Sequence, residues 1–313
     1  MSTSSTKSAI TLAVSLLLLA GASAGATSLR TFVSGSGNDA NACSQSAPCA
    51  TLAGALTNTS SGGEIYSLDA ADYSSSGGTT TINKPVSIIG AGGRIGINAE
   101  MIITPGTGGM VLLKGLDVNA NNGTGISMTA QGVTLIVDDC TVVNGNVDGI
   151  YFAPGGTGAS YLVVRNSVIS SSGPTGSSAV AGIVISPYSS GNAVATLDNV
   201  TLSNGFHGIY VTDSSNVTIR NSVMTQNTHS GLRAESLAGG TVTVLVERSQ
   251  SSHNFNGIFA VGATATIRIT DVTVTDNGNG IYYQNSGKVI SFGNNSVDGN
   301  AASLTPTSTV ALQ

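Results

Sequence analysis

Residues Asn216–Leu232 read NVTIRNSVMTQNTHSGL, and the same order of residue types returns several times along the chain. A β-branched run is followed by Asn or Asp, a second short run, a further Asn, and then Gly with Ile or Leu. Related stretches are ATLDNVTLSNGFHGIY upstream and RITDVTVTDNGNGIY downstream. Short alternating runs separated by Asn, Asp, Ser and Gly predict strands joined by tight turns.

The repeat has a period of 23 to 33 residues, counted from the Gly of one repeat to the Gly of the next. The counting positions are Gly125, Gly149, Gly182, Gly208, Gly231, Gly257 and Gly280. Such a period indicates a solenoid, a propeller or an array, but a propeller blade needs about 40–45 residues. The Leu scaffold of leucine-rich repeats and the GGxGxD calcium repeat are both missing. The sequence therefore predicts an all-β fold, a single-stranded right-handed parallel β-helix with three strands per coil.

Composition supports many short strands in one domain. The 313 residues include 41 Gly and no Trp, and only 9% are charged. Glu and Lys, which long helices favour, are scarce, whereas β-branched residues are abundant. The net charge of −5 argues against a nucleic-acid partner, which favours a basic stripe.

The N-terminus predicts export. Lys7, the apolar run Ile10–Ala20 and the small residues Ala22-Ser23-Ala24 are typical of a signal peptide spanning residues 1–26. We expect a mature chain without a membrane span that is secreted, periplasmic or at the cell surface. Its predicted parts are a cap segment (27–60), a β-helix (61–300) and a C-terminal tail (301–313).

The three cysteines fit an exported protein. Cys43 and Cys49 flank a short loop and can pair in an oxidising compartment. Zinc binding is the weaker alternative, because no second Cys or His pair lies nearby. Cys140 follows Asp139 in a strand-like run and is predicted to be a small buried thiol.

The repeats resemble those of the right-handed β-helix, pectate-lyase-like superfamily over most of the mature chain. The opening TFVSGSGNDANACSQSAPCATLAGAL is similar to the entry segment of secreted β-helix proteins, in which a strand and a small helix cap the first coil. The resemblance implies such a cap here, with a helix over Thr51–Leu56 and Leu52, Ala53 and Leu56 on one face. The superfamily hosts many unrelated activities, so the resemblance implies a fold and not a particular reaction.

Coils stacked about 4.8 Å apart place equivalent residues in columns. The residues after each Gly form an inward column: Ile126, Ile150, Ile183, Ile209, Leu232, Ile258 and Ile281. Two polar columns are predicted to hold bends: Asp139, Asn166, Asn199, Asn221 and Asp271, then Asn204, Asn227, Asn254 and Asn277. A column of alternating charge predicts an ion-pair ladder: Asp138, Arg165, Asp198, Arg220 and Glu247.

One outward column is rich in rings for a chain that is 4% aromatic. Its members are Ser127, Tyr151, Val184, Tyr210, Arg233, Phe259 and Tyr282. Exposed rings in a row can stack on sugar faces, which makes Tyr151, Tyr210, Arg233, Phe259 and Tyr282 candidate ligand-binding residues. The alternative is cross-strand stacking with no ligand.

Arg233, Glu235 and His207 are the candidate catalytic residues. The resemblance to polysaccharide lyases implies a basic residue that abstracts a proton, a role open to Arg233. Calcium would need a cluster of carboxylates, but this face offers only Glu235 and Asp213, so we expect neither metal nor cofactor. Asp148 and His207 partly match a polygalacturonase pattern, but they fall two coils apart and their partners are missing.

Three functions remain open at this point. The first is a secreted protein that binds an extracellular polysaccharide along its first sheet, with catalysis not established. The second is a polysaccharide lyase, or another carbohydrate-active enzyme, acting on an acidic glycan. The third is a structural rod at the cell surface or envelope. The insertion around Ser171–Ser178 is the expected place for specificity.

Overall fold

The computed structural model describes residues 27–75, 78–121, 123–171 and 180–311. The predicted signal peptide, and all but the first residue of the Ser171–Ser178 insertion, lie outside these ranges. Within them the chain forms these elements in order: β1 (Ser28–Val33), α1 (Leu52–Asn58), β2 (Thr59–Ser67), β3 (Ala71–Asp72), β4 (Thr79–Ile82), β5 (Val86–Ile89), β6 (Ile95–Ile97), β7 (Glu100–Ile103), β8 (Met110–Lys114), β9 (Leu116–Asn119), β10 (Ile126–Met128), β11 (Thr134–Asp138), β12 (Thr141–Gly145), β13 (Ile150–Phe152), β14 (Ala159–Ser171), β15 (Ala181–Ile185), β16 (Asn192–Ser203), β17 (His207–Thr212), β18 (Ser215–Arg220), β19 (Val223–Thr225), β20 (Ser230–Glu235), β21 (Val242–Glu247), β22 (Gln250–Ser252), β23 (Asn256–Val261), β24 (Ala265–Thr270), β25 (Thr273–Thr275), β26 (Asn279–Gln284), β27 (Lys288–Ser291), β28 (Ser296–Val297) and β29 (Ser308–Thr309).

The strands stack into a parallel β-helix, as predicted. Each complete coil gives one strand to each of three faces; in the coil that contains the quoted repeat, β17, β18 and β19 lie on the first, second and third face. The first face is a sheet of nine parallel strands in the order β26-β23-β20-β17-β15-β13-β10-β7-β4. The other two faces join into one hydrogen-bonded sheet, because β14 and β16 each run through the corner between them.

The predicted inward column is confirmed. Ile126, Ile150 and Ile183 are paired in register, and the ladder continues without a break to Ile281. All seven members are fully buried. Each contributes on the order of 1.5–3 kcal/mol by burial, so this column is a large part of the core.

Glycine is required before each of these residues because neighbouring backbones approach closely at that point. A Cβ added to Gly208 would lie 2.6 Å from the carbonyl oxygen of Gly231. A Cβ added to Gly231 would lie 2.8 Å from the carbonyl oxygen of Gly257. Both distances are shorter than real Cβ contacts, so the Gly of the repeat is a steric requirement of the stacking.

The corner between the second and third faces confirms the first polar column and, for the pairs Asp138–Arg165 and Asp198–Arg220, the charge ladder. Asn166 and Asn199 adopt left-handed backbone conformations (φ 51° and 56°), and the Asn199 Nδ2 donates to the Asn166 Oδ1 at 3.0 Å. In the adjacent column Arg165 pairs with Asp138 at 3.2 Å. Burial raises the pKa of Asp138, but hydrogen bonds, that from Arg165 first, outweigh this and hold it below its ordinary value.

The second polar column requires a correction. Asn227, Asn254 and Asn277 are stacked and buried, and each backbone N–H donates to the Oδ1 of the Asn in the following coil at 3.0 Å. Asn300 ends this ladder, and Gly205 takes the position assigned to Asn204. Asn204 lies one residue earlier, at an exposed left-handed bend (φ 60°) that is in register with Gln226 (φ 57°) of the next coil. Counting back from the Gly of the repeat misplaces it because the turn between Asn227 and Gly231 is one residue longer.

The N-terminal cap contains the predicted disulfide between Cys43 and Cys49. Helix α1 packs over the first coil with Leu52 and Leu56 buried. Ala53, which was expected on this face, is exposed, and Ala55 is buried instead. Positions three and four apart share a helix face, so Ala55 belongs with Leu52 and Ala53 does not.

The other end of the β-helix is continuous with the segment after Asn300. Strand β29 pairs with β27, and the N–H of Leu304 donates to the carbonyl of Ile281 at 2.9 Å. Cys140 is buried, as predicted, and burial raises the pKa of its thiol to about 11. Among the described residues, no helix has the length and apolar character that a membrane crossing needs.

Candidate functional site

The predicted outward column exists on the first face. Tyr151, Val184, Tyr210, Arg233 and Phe259 occupy successive strands in register. Ser127 precedes this run and Tyr282 follows it. The sequence pattern therefore placed five side chains from five successive coils correctly beside one another.

The rings at the centre of this column are covered, which differs from the expectation of open rings. Tyr210 and Phe259 are each 5% exposed. The guanidinium of Arg233 lies over both rings, 5.5 Å from the Tyr210 centroid and 5.3 Å from the Phe259 centroid. Strands only about 4.8 Å apart force such neighbours to cover each other. Tyr151 and Tyr282, further along the column, are half-buried.

Arg233, Glu235 and Tyr210 form a hydrogen-bonded network on this face. The Arg233 Nη2 lies 2.8 Å from the Glu235 Oε2, and the Tyr210 hydroxyl donates to the same oxygen at 2.7 Å. The side chains of Arg233 and Glu235 are only 15% and 13% exposed. Burial, reinforced by Glu235, raises the pKa of the Tyr210 phenol.

The guanidinium of Arg233 retains unused donor capacity. Within the described residues its buried Nε has no hydrogen-bond acceptor. A buried donor without a partner costs about 1–3 kcal/mol, and a ligand acceptor removes that cost only if the guanidinium moves so that Nε reaches the surface. The ion pair and the two ring faces both favour a positive charge at this position.

A row of rings that the sequence analysis did not identify lies at the corner between the third and first faces. Phe206, His229 and Phe255 occupy equivalent turns of three successive coils; we call them the corner ring row. The Phe206 and His229 rings are stacked with centroids 4.9 Å apart, and His229 and Phe255 are 6.0 Å apart. Phe255 is 57% exposed, which makes it the open end of the row.

His207 lies between the corner ring row and the outward column. Its ring is fully buried, stacks on Tyr210 at 5.4 Å and meets His229 edge-on at 4.9 Å. The row thus adjoins the Arg233 network through His207. Burial and then the charge of Arg233 lower the pKa of His229.

Asp148 is a buried carboxyl at the edge of the same face, 5% exposed and just before β13. Its Oδ1 accepts a hydrogen bond from the Ala181 N–H at 2.9 Å. Burial raises the pKa of Asp148 to about 7. Ala181 separates Asp148 from His207 in the stacked column, so the structure keeps these two residues two coils apart, as expected.

Neither Asp213 nor any acidic cluster adds to the network. Both carboxylate oxygens of Asp213 accept backbone N–H groups of the following loop, from Leu237 at 3.0 Å and Ala238 at 2.7 Å. In the ranges described by the structure, no three His, Cys, Asp or Glu side chains converge as a metal-ligand group.

The stacked coils therefore form a right-handed parallel β-helix, the fold that pectate lyase Pel9A also has. Residues 157–311 match the family described as a right handed beta helix region. The sequence matches no curated protein.

Two solved structures show the same fold at low identity. Pectate lyase Pel9A is similar with a TM-score of 0.63 and 17% identity, over 92% of this chain and 79% of that one. A rhamnogalacturonan lyase is similar with a TM-score of 0.56 and 15% identity, over 89% of this chain and 87% of that one. At these identities the likeness concerns the fold alone.

Proposed function

We propose that this protein binds an extracellular polysaccharide along its first face. The observation that carries the proposal is Arg233, a largely buried cation whose side chain is 15% exposed and can meet a ligand through that part. It lies at the centre of a long regular surface, where a repeating polymer can contact successive coils. Two proteins of the same fold are named as lyases of pectate and rhamnogalacturonan, which supports a carbohydrate ligand.

The contacts divide between a polar centre and aromatic margins. Arg233 offers its donors to a carboxylate or hydroxyl of a sugar, and charged donors form the stronger hydrogen bonds. Half-buried Tyr151 and Tyr282 flank this centre along the column, and exposed Phe255 borders it at the corner. Tyr210 and Phe259 hold the guanidinium in place, so their contribution to binding is largely indirect.

Export of the mature chain belongs to the same proposal. The disulfide between Cys43 and Cys49 and the apolar N-terminal segment both support a secreted, periplasmic or cell-surface protein. N-terminal sequencing of the protein recovered outside the cytoplasm tests this; a start at Met1 would contradict it.

A glycan array with purified protein tests binding, and Arg233→Gln and Phe255→Ala are the informative variants. Loss of a charged hydrogen bond costs about 1.5–3 kcal/mol, so we expect Arg233→Gln to weaken binding at least tenfold. Arg268→Gln, which removes a half-buried Arg from the second face, is the matched control and should bind normally. Unchanged binding in both Arg233→Gln and Phe255→Ala would contradict the proposed site.

A polysaccharide lyase is the second candidate, because Arg233, Glu235 and Tyr210 form one network where a substrate would lie. In this version Arg233 abstracts a proton and Glu235 or His207 assists. Binding requires only the hydrogen-bond donors of Arg233 and no proton transfer, which makes it the first candidate. Release of ultraviolet-absorbing unsaturated ends from a panel of uronate polymers would establish the lyase; its absence would count against it.

A further inference from the structure

His229 and Arg233 share one wall of the first face. Both lie against the ring of Phe259, at 6.1 Å for the His229 ring and 5.3 Å for the Arg233 guanidinium. His229 is half-buried in the corner ring row, and its Nδ1 lies 2.8 Å from the Ser230 Oγ. An anion that contacts Arg233 from solvent therefore also comes close to this imidazole.

Among the residues that the structure describes, the surroundings of His229 provide one positive charge and no negative one. Three elements face the ring: the preceding coil, the following coil and its own strand. The residues they present are Phe206, His207, Phe255, Phe259, Ser230 and Arg233. Glu235, the acid on the strand that follows His229, is bound by Arg233 and Tyr210. A second positive charge at His229 is therefore unfavourable while the site is empty.

We propose that His229 takes up a proton when a carboxylate of an acidic glycan binds at Arg233. The bound carboxylate supplies the missing negative charge, so the imidazolium becomes favourable only in the complex. The proton comes from solvent, with Nδ1–H donating to the Ser230 hydroxyl and Nε2–H left to face the ligand. This inference rests on the proposed function and specifies both the ligand class and its coupling to pH.

The coupling sets the direction of the pH dependence. Burial and Arg233 lower the pKa of His229 in the free protein, and the bound anion raises it. Between these two pKa values binding consumes up to one proton, so affinity rises as pH falls, by up to about tenfold per pH unit. A site that bound the same glycan through Arg233 alone would show no such slope above the pKa of the sugar carboxylates.

Calorimetry with a galacturonate trimer, in two buffers of different ionisation enthalpy, measures proton uptake directly. We expect proton uptake of up to one proton per trimer bound, at pH values between the pKa of His229 in the free protein and that in the complex. His229→Phe is the matched variant, because the neighbouring members of the corner ring row are Phe206 and Phe255 and a phenyl ring preserves the packing. It should bind the trimer with no proton uptake and a flat pH profile.

The chain has three histidines, so the ring resonance of His229 can be assigned by its loss in the variant. We expect its pKa to rise when the trimer is added. Trimer binding without proton uptake, or uptake that persists in His229→Phe, would overturn this inference and leave the binding function intact. Absence of binding to both the trimer and neutral oligosaccharides at every pH would overturn the proposed function, and this inference with it.

Discussion

Replacing Asp148 with Asn should stabilise the protein at pH 8 and change its stability little at low pH. The carboxyl is buried beside β13 and receives one hydrogen bond, from the Ala181 N–H. Asn keeps an oxygen acceptor for that N–H but carries no charge. The substitution therefore removes the cost of burying an ionised group and retains the contact.

The magnitude follows from the pKa of Asp148, which burial raises from 3.8 to about 7. The folded state binds this proton more tightly than the unfolded state does. Protonation of Asp148 therefore makes its full contribution to stability below the pKa of the unfolded state. That stability is lost as pH rises from about 4 to 7. Each pKa unit corresponds to about 1.4 kcal/mol, so the ionised carboxylate costs about 4 kcal/mol at pH 8. Only about 1 kcal/mol of this cost remains at pH 4.5.

Urea unfolding of parent and variant at pH 4.5 and pH 8 measures this difference. We expect the free energy of unfolding of Asp148→Asn to exceed that of the parent by about 3 kcal/mol more at pH 8 than at pH 4.5. Asp271→Asn is the matched control, because Asp271 is exposed at a left-handed bend that Asn occupies in other coils. An equal effect of Asp148→Asn at both pH values would refute the assignment of a buried, protonated carboxyl.

Three further predictions concern stability. Asn254→Ala leaves the N–H of the Asn in the preceding coil without its acceptor, which should lower the free energy of urea unfolding by about 1–3 kcal/mol; a neutral result would contradict the ladder. Replacing Cys43 and Cys49 with Ser opens a loop with a sequence separation of 6, which should cost about 2 kcal/mol in the same assay; prior reduction of the parent should reproduce that loss. Asp138→Asn should destabilise at pH 7, because the pKa of Asp138 lies below its ordinary value and its ionised form supports folding above that value. This last difference should disappear as pH falls through the folded pKa, and a difference that persists there would show that shape, not charge, is responsible.

The sequence predicts most of the fold because each coil is subject to the same steric constraints. The Gly before Ile209 is fixed by the backbone of the next coil, and the residue after it must enter the core. The alternating charges of Asp138 and Arg165 likewise identify neighbours, since like charges at strand spacing repel. Where the turn length changes by one residue, as between Asn227 and Gly231, counting from the repeat assigns the wrong member, Asn204, to a column.

The candidate site is less predictable because it depends on side-chain packing between coils. The pattern places Tyr210, Arg233 and Phe259 side by side but does not show that the guanidinium covers both rings. The sequence pattern does not predict the corner ring row, because Phe206 and Phe255 lie in turns, where no alternation shows whether a side chain faces inward or outward. Their positions directly before the paired residues His207 and Asn256 are the signal that could have identified them.

The buried Asn ladder has a direction, and this gives the β-helix a preferred end. Each Asn closes the turn of the coil before it, so Asn227 has its acceptor only when Asn254 is in place, and so on to Asn300. A coil that folds onto an already folded C-terminal neighbour finds the Asn Oδ1 acceptor for its backbone N–H in place. A coil that folds onto an N-terminal neighbour lacks this acceptor until the next coil has folded. Removal of the last coil should therefore destabilise turns several coils away, with which it makes no contact.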